Sequence, residues 1–438
     1  MEWLRNWSWR ISIVLLPWQM RWFSAGGGPA SGGQDLLIGG LPWEQGRLSV
    51  YLSWLPMILT VFFACARFKE DLDDTPLSVS DWAVVVGMLL LGLPAFVSVY
   101  PQASWQWLTQ VILLAFFAWS LRQLRLGRRE LLAWCVISIV PHALLGLWQF
   151  ASQSVMGSKW LGIASQNPAD PGVSVVASGG RRVLRAYGGF PHPNIFGGWL
   201  AFGLLAAAWL AASLKGRRAR IALAAAAALF AAALVLTFSR AAWIAAAVGV
   251  AAVLVLTWKK AWTLEEKLRL FLAPIVIIVT AAGALAATWD LVSVRAMPDS
   301  RLEVKSVDER AAALSAAWKL VGEEWWLGQG QNTAIYALDR AGLGIVPPHF
   351  IFLLILLETG LIGSLGAALL LLRWLRHART EGFLMLAVVA PLALFDHYLW
   401  SLWAGQSLAM WFAVLPFVNR SSLMAHRSSS PELTSEEK

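Results

Sequence analysis

Long apolar stretches alternate with short polar connections along almost the whole chain. A helix needs about 20 mostly apolar residues to cross a bilayer, and stretches near that length recur throughout the sequence. We expect an all-α, polytopic membrane protein, with a single integral-membrane domain over residues 1–427 and a disordered cytoplasmic tail over 428–438. The pattern predicts about twelve transmembrane helices, near residues 8–23, 48–67, 82–99, 105–121, 131–150, 194–214, 221–237, 241–258, 270–289, 349–372, 382–399 and 401–418.

The basic residues of the short connections predict which way the chain enters the membrane. Cytoplasmic loops carry an excess of Lys and Arg, and here every second short connection is basic, for example those near residues 125, 217, 263 and 376. Both termini are therefore expected in the cytoplasm. Two long loops are expected outside, at 151–193 and, between the ninth and tenth helices, at 290–348.

The first apolar stretch has two interpretations. Arg5 and Arg10 precede it, as basic residues precede the apolar core of a signal peptide. Pro17, Arg21 and several tryptophans favour instead a short helix anchored at the membrane interface, where aromatic side chains are enriched. Neither interpretation moves a later loop to the other side of the membrane.

Composition excludes several classes of protein. Only 14% of the 438 residues are charged and 58% are hydrophobic, whereas an average soluble domain has about a quarter charged residues. A water-soluble or disordered chain is therefore excluded. Cys65 and Cys135 lie in apolar runs without partner spacing, which excludes a disulfide framework and cysteine-based metal sites.

A few polar residues lie near the ends of predicted helices that face outward. They are Arg185, Arg240, Arg310, His349 and the pair Asp396–His397. Charged groups at membrane depth are costly and usually face a cavity. Arginine binds phosphate oxygens through two parallel hydrogen bonds, and a histidine can accept a proton near neutral pH. The alternative is that these are ordinary interfacial side chains that contact lipid headgroups.

Four short segments, in order, resemble motifs of O-antigen ligases and O-antigen polymerases. The first, Arg185-Ala-Tyr-Gly-Gly-Phe-Pro-His-Pro-Asn194, resembles their Arg-x-x-Gly-x-Phe-x-(Asn/His)-Pro-Asn signature. The others are Thr237-Phe-Ser-Arg240, Arg310 with Leu327-Gly-Gln-Gly330, and His349 with Leu357-Glu-Thr-Gly-Leu-Ile-Gly363. Phe350 follows the histidine where the family usually has Asn.

The resemblance implies a membrane glycosyltransferase of the GT-C type in the bacterial cytoplasmic membrane. Its donor would be a glycan on undecaprenyl diphosphate, and its acceptor a hydroxyl at the outer face, on lipid A core, a glycan or a similar glycolipid. Transfer would invert the anomeric centre without a metal or other cofactor. Arg185, Arg240 and Arg310 would bind the diphosphate and His349 would be the catalytic base. His192, Asn194, Asp396 and His397 would shape the site.

Two other functions stay open at this point. A polymerase of O-antigen or exopolysaccharide repeats would differ from a ligase only in its acceptor. A transporter or flippase of lipid-linked saccharides would also need many helices and outward-facing cations, although transporters usually place such groups near the bilayer midplane in related halves. No feature of the sequence indicates a nucleic-acid partner.

Overall fold

The fold is a bundle of helices with three small antiparallel strand pairs. The computed structural model describes residues 1–23, 37–38, 41–43, 46–70, 79–214, 216–258, 263–296 and 301–418. The helices are α1 (Glu2–Leu15), α2 (Trp54–Glu70), α3 (Val79–Gly92), α4 (Pro101–Gln123), α5 (Arg128–Ser152), α6 (Pro193–Ser213), α7 (Arg217–Leu236), α8 (Arg240–Trp258), α9 (Leu264–Ala287), α10 (Trp289–Ala296), α11 (Arg301–Glu323), α12 (Ala334–Arg340), α13 (Ile351–Phe395), α14 (Tyr398–Ser401) and α15 (Trp403–Val414). The strands are β1 (Arg21–Phe23), β2 (Leu37–Ile38), β3 (Leu41–Pro42), β4 (Ser49–Tyr51), β5 (Val175–Ser178) and β6 (Arg181–Leu184), paired β1–β4, β2–β3 and β5–β6.

The apolar helices follow the predicted pattern closely. Among the described residues, four helices are long and apolar enough to cross a membrane, namely α5, α6, α7 and the first part of α13, Ile351–Ala378. Shorter apolar helices cover Trp54–Arg67, Trp82–Phe96, Arg240–Leu256, Phe271–Ala287 and Met385–Phe395. Each of these stretches coincides with one predicted from the sequence. The total of twelve spans, their sidedness and the single-domain boundary stay predictions.

The long helical run α13 reverses direction within itself. A straight helix of its 45 residues would be about 67 Å long. His349 lies just before the run and Asp396 just after it, yet a nitrogen of one lies 3.6 Å from an oxygen of the other. The run therefore consists of two helices that fold back on each other. This agrees with the sequence, which predicts two separate helices at 349–372 and 382–399.

The two ends of the chain differ from the prediction. A helix at 8–23 is wrong, because α1 ends at Leu15 before Pro17, and Arg21–Phe23 pairs with Ser49–Tyr51 as a strand. A continuous helix at 401–418 is also wrong, because Leu402 is extended and α15 starts only after it. The expected tail at 428–438 and the connection at 259–262 lie outside the described residues.

Both long loops contain regular structure. The first holds the β5–β6 hairpin, and the second holds α10, α11 and α12. Helix α11 buries one narrow apolar stripe, and the indole of Trp318 lies outside it, 59% exposed. The buried positions are Ala313, Ala316, Ala317 and Leu320, which follow the helical spacing i, i+3, i+4 and i+7, and residue 318 lies one position beyond that stripe.

Helix α6 occupies the centre of the bundle and fixes the position of its own first turn. It is buried along most of its length and packs against α5, α7 and α8. Two glycines allow this close packing: a Cβ at position 197 would lie 2.8 Å from the Cβ of Ala242, and one at position 198 would lie 2.3 Å from the hydroxyl of Tyr398. The start of α6 is thereby held beside α8 and beside the segment that follows α13.

Candidate active site

One cavity of about 770 Å³ collects most of the residues that the sequence analysis selected. Its lining includes Arg185, His192, Asn194, Arg240, Arg310 and His349. They come from β6 and the start of α6, from the α7–α8 turn, from α11 and from the residues before α13. We call this space the arginine cavity. Folding therefore brings together residues separated by as many as 164 positions, from Arg185 to His349.

Arg185 is held in place by its own hydrogen bonds. Its side chain is 5% exposed. The Nε group donates to the carbonyl oxygen of Thr237 at 2.6 Å, and Nη2 donates to Oδ1 of Asn194 at 2.7 Å. The backbone N–H of Ala186 also donates to the carbonyl of Leu236. These bonds join the segment before α6 to the end of α7.

The Thr237–Arg240 segment forms a tight turn between α7 and α8. Phe238 has a left-handed backbone with φ of 50°, and its ring is buried. The N–H of Ser239 donates to the hydroxyl of Thr237, which itself donates to the carbonyl of Leu234. Arg240 then opens α8 with an exposed side chain. Because the N-terminus of a helix carries partial positive charge, this end of α8 favours an anion in the cavity.

The remaining charges of the lining are also mostly positive. Arg310 lies on α11 and is half-buried, and its neighbour Glu309 lines the same cavity. Arg182 on β6 adds a fourth arginine, which was not among the candidates selected from the sequence. Four guanidinium groups against one carboxylate give the described lining a clear excess of positive charge.

His192 serves as the cap of α6. Its Nδ1 accepts a hydrogen bond from the N–H of Asn194 at 3.1 Å, and Nε2 lies 2.8 Å from the hydroxyl of Ser174. Burial, followed by the charge of Arg185, lowers the pKa of His192 to about 3. The imidazole is therefore neutral, with its lone pair on Nδ1 already engaged. This arrangement fits a structural cap and is a poor fit to a base.

His349 and Asp396 meet at the wall of the arginine cavity. Nδ1 of His349 lies 3.6 Å from Oδ1 of Asp396. The other carboxylate oxygen, Oδ2, accepts from Nδ2 of Asn194 at 2.7 Å, and Oδ1 also accepts from the N–H of His397 at 2.8 Å. Asn194 thus links Asp396 to Arg185. A continuous polar chain runs from the histidine to the buried arginine.

Asp396 and His397 lie behind His349 rather than in the lining itself. Burial alone would raise the pKa of Asp396, but the contact with His349 and the nearby His397 outweigh burial and hold that pKa below its ordinary value. The carboxylate is therefore an anion. Burial lowers the pKa of His397 to about 4, so its ring is neutral. The ring of His397 packs edge-on against that of His349, with centroids 5.3 Å apart.

The same three side chains are also spaced for a metal ion. His349, Asp396 and His397 offer ligand atoms that all lie within 4.8 Å of one another. Nδ1 of His397 already has a protein partner in the hydroxyl of Ser401 at 2.7 Å. The cluster can act either as a ligand set or as a histidine supported by a carboxylate, and the two differ in their response to chelators.

Glu358 has a structural role. It is 1% exposed and accepts hydrogen bonds from the backbone N–H groups of Asn332 and Ala334 and from the indole of Trp400. The carboxylate joins the start of α12 to α14. It lies outside the lining of the arginine cavity.

The segment from α7 into α13 matches a known protein family. Residues 225–368 match the family model described as O-antigen ligase. This segment, about a third of the chain, is similar to the O-antigen ligase family. This confirms the resemblance stated from the motifs, and it indicates a membrane glycosyltransferase of the O-antigen ligase or polymerase type. No curated protein sequence gives a significant match to the chain.

The matched segment, residues 225–368, contains only part of the arginine cavity. Arg240, Arg310 and His349 lie inside the matched residues, whereas Arg185 and Asp396 lie outside them. Phe350, which replaces the usual Asn of the family, is 37% exposed and packs against Phe352. An amide does occur near His349 from another direction, because Asn194 contacts the carboxylate of Asp396.

Proposed function

We propose that the protein transfers a glycan from an undecaprenyl-diphosphate-linked donor to an acceptor hydroxyl at the outer face of the bacterial cytoplasmic membrane. The observation that carries the proposal is the convergence of Arg185, Arg240, Arg310 and His349 on one cavity. The acceptor is lipid A core, a glycan or a similar glycolipid. The membrane orientation is the one that the basic loops predict, with both termini in the cytoplasm.

The arginines suit a diphosphate group. A guanidinium binds phosphate oxygens with paired, charge-assisted hydrogen bonds and stays charged at all relevant pH values. Arg240 also lies at the N-terminus of α8, where the helix dipole adds to the attraction for an anion. Fixed positive charge around a leaving diphosphate stabilises the charge that develops in the transition state. In this account it replaces the divalent ion that other enzymes use, so the proposed transfer needs no metal.

His349 suits the role of general base. Because Nδ1 faces Asp396, the proton on the ring is held at Nδ1 and Nε2 is left as the acceptor. The acceptor hydroxyl gives its proton to Nε2 while its oxygen forms a bond to the anomeric carbon of the donor sugar. The bond from that carbon to the diphosphate oxygen breaks, and the diphosphate leaves with the electron pair. Attack opposite the leaving group inverts the anomeric configuration.

A reconstituted transfer assay tests the proposal. Purified protein in proteoliposomes is given the lipid-linked glycan and a defined acceptor, and the product is followed by mass spectrometry with and without EDTA. We expect transfer that EDTA leaves unchanged. A strict requirement for a divalent metal would contradict the mechanism and favour the ligand-set interpretation of His349, Asp396 and His397.

A triple substitution tests the diphosphate site in the same assay. Replacing Arg185, Arg240 and Arg310 together by Ala removes three of the four cavity arginines, and we expect no detectable transfer. Triple replacement of Arg217, Arg218 and Arg220, at the start of α7 and far from the cavity lining, is the matched control. Full transfer in the cavity variant would show that these arginines are not needed.

A further inference from the structure

A second cavity lies beside the arginine cavity and has a different chemistry. Its volume is about 380 Å³, within the range of about 300–1,000 Å³ that ligand sites occupy. The lining includes five glutamines, Gln19, Gln106, Gln110, Gln149 and Gln166. Arg21 is the one charged side chain among the described lining residues, and its Nη1 donates to the hydroxyl of Tyr51. We call this space the glutamine cavity.

Gln110 presents its amide to the glutamine cavity. Its side chain is 5% exposed and lines the cavity, and no hydrogen bond from another described residue reaches its amide. A hydroxyl group placed beside this amide can both donate to it and accept from it. One turn earlier on α4, Gln106 has both amide atoms bonded to Ser49. The two residues therefore differ in whether the protein itself satisfies them.

Gln149 presents a second amide to the cavity, and only its oxygen is hydrogen-bonded by the protein. Its Oε1 accepts from the backbone N–H groups of Tyr187 and Gly188, at 3.2 and 2.8 Å. The nitrogen of the same amide takes no part in these bonds. The indole N–H of Trp43 is also buried without a partner among the described residues. The cavity thus offers an acceptor-and-donor amide and further N–H donors.

Aromatic rings supply the apolar part of the wall. Tyr51 and Trp403 stack with centroids 5.0 Å apart, and Trp43 stacks on Tyr336 at 5.9 Å. Sugar rings combine apolar C–H faces, which pack on aromatic rings, with hydroxyls that donate and accept at once. A lipid chain would leave the amides unsatisfied, and an anion would find one arginine that already has a partner.

The two cavities share a wall. Pro191 lines the glutamine cavity and His192, the next residue, lines the arginine cavity. Ser401 lines the glutamine cavity as well, and its hydroxyl contacts His397, whose ring packs on His349. A ligand in the glutamine cavity would therefore lie one side chain away from the residues that hold the proposed base.

We infer that the glutamine cavity binds a short saccharide, as a glycan subsite next to the diphosphate site. This inference rests on the proposed function, which supplies the two possible sources of the saccharide, the donor glycan or the acceptor glycan. The neutral amides select hydroxyl groups and the arginines of the neighbouring cavity select the diphosphate. The molecule thus separates recognition of sugar from recognition of the leaving group.

Binding to the full-length protein in nanodiscs tests the inference. Three probes are titrated separately: the donor oligosaccharide released from its lipid, the acceptor saccharide without its lipid, and undecaprenyl diphosphate without sugar. Gln110→Met keeps the length of the side chain and removes the amide. We expect about tenfold weaker binding of one saccharide and unchanged binding of undecaprenyl diphosphate. Which saccharide is affected identifies the source.

The controls separate this inference from the proposed function. Gln123→Met makes the same change on the same helix, outside the lining, and leaves all three affinities unchanged. The subsite is overturned if each saccharide binds wild type and Gln110→Met with equal affinity. It is also overturned if neither saccharide binds either protein, even where transfer persists. If Gln110→Met does not fold, Gln110→Asn is used instead. This variant keeps the amide but shortens the side chain by one methylene. An affinity equal to wild type in that variant overturns the subsite too.

Discussion

At the scale of single residues, the site depends on how the side chains are held. Arg185 is fixed by Thr237 and Asn194, and Asp396 by Asn194 and His397. Arg240 instead opens α8 with an exposed side chain. The buried members of the network position the site, and Arg240 presents its side chain at the exposed part of the cavity lining.

Arg240→Lys tests whether the shape of the cation matters. Lysine keeps the charge but cannot form two parallel hydrogen bonds to a phosphate, so we expect turnover to fall about tenfold or more with normal expression. The measurement is the initial rate of transfer at saturating donor. Arg217→Lys, at the start of α7, is the matched control. A rate equal to wild type in Arg240→Lys would mean that charge alone suffices.

Asp396→Asn tests the support of the proposed base. Two N–H groups donate to this carboxylate, from Asn194 and His397, and Nδ1 of His349 lies 3.6 Å from it. An amide has one acceptor oxygen, so at least one of these donors loses its partner and the imidazole loses its anionic neighbour. We expect kcat to fall about tenfold or more with little change in the donor KM. A large rise in donor KM at normal kcat would instead assign Asp396 to donor binding.

At the scale of elements, the start of α6 is the part on which the site is built. His192 caps the helix, Asn194 reaches Asp396, and Arg185 precedes both. The Pro-His-Pro-Asn string forms the turn that enters α6, with His192 as its N-cap. The sequence could not predict that the His192 ring would be neutral, since that follows from burial beside Arg185.

The pH dependence of thermal stability tests whether His192 and His397 are neutral in the folded protein. The folded pKa of His192 is about 3 and that of His397 about 4, both below the ordinary histidine value near 6.5. Between about pH 6.5 and 4 the unfolded chain therefore binds protons that the folded chain does not, and stability falls as pH decreases. We expect the melting temperature in detergent to fall from pH 7 to pH 5.

Two asparagine variants assign this acid sensitivity. His192→Asn keeps a capping oxygen but removes the titration, so its melting temperature should decrease less on acidification. His377→Asn, which replaces an exposed histidine of α13, is the matched control. An identical decrease in wild type and His192→Asn would contradict the assignment of a depressed pKa to this residue.

The helices themselves were largely predictable, and the contacts between distant ones were not. Apolar periodicity and the turn Thr237-Phe-Ser-Arg240 placed α7 and α8 within a few residues. No local signal connects His349 with Asp396, because their contact arises from the reversal inside α13. The glutamine cavity was missed for a similar reason: Gln106, Gln110 and Gln149 are scattered polar positions in apolar stretches, and only the folded bundle brings them to one cavity.

At the scale of the whole molecule, the polar residues collect at one end of the bundle. The start of α6, the start of α8 and both ends of the α13 run meet there. The basic positions near residues 217 and 376 belong to the other end of α6 and to the reversal inside the α13 run. This separation fits a site at one membrane face, as a transferase acting on a lipid headgroup needs, and differs from the midplane sites of transporters.

Cysteine labelling tests the orientation. Cys65 and Cys135 are first replaced by Ala, and single cysteines are then placed at the exposed positions Lys159, in the first long loop, and Arg217, at the start of α7. We expect a membrane-impermeant maleimide added to intact spheroplasts to label position 159 and to label position 217 only after lysis. Labelling of position 217 alone in intact cells would reverse the topology and place the site in the cytoplasm.

The most direct test of the account measures donor binding and transfer in the same His349→Ala preparation. A general base contributes about 10²–10⁴-fold to rate, whereas our proposal assigns the binding of the diphosphate to other residues, Arg185, Arg240 and Arg310. We therefore predict that single-turnover transfer in proteoliposomes falls by about that factor while the donor Kd stays close to wild type, with His377→Ala unchanged in both. Full transfer in His349→Ala would contradict the account, and donor binding lost together with transfer would make His349 a ligand of the diphosphate instead of the base.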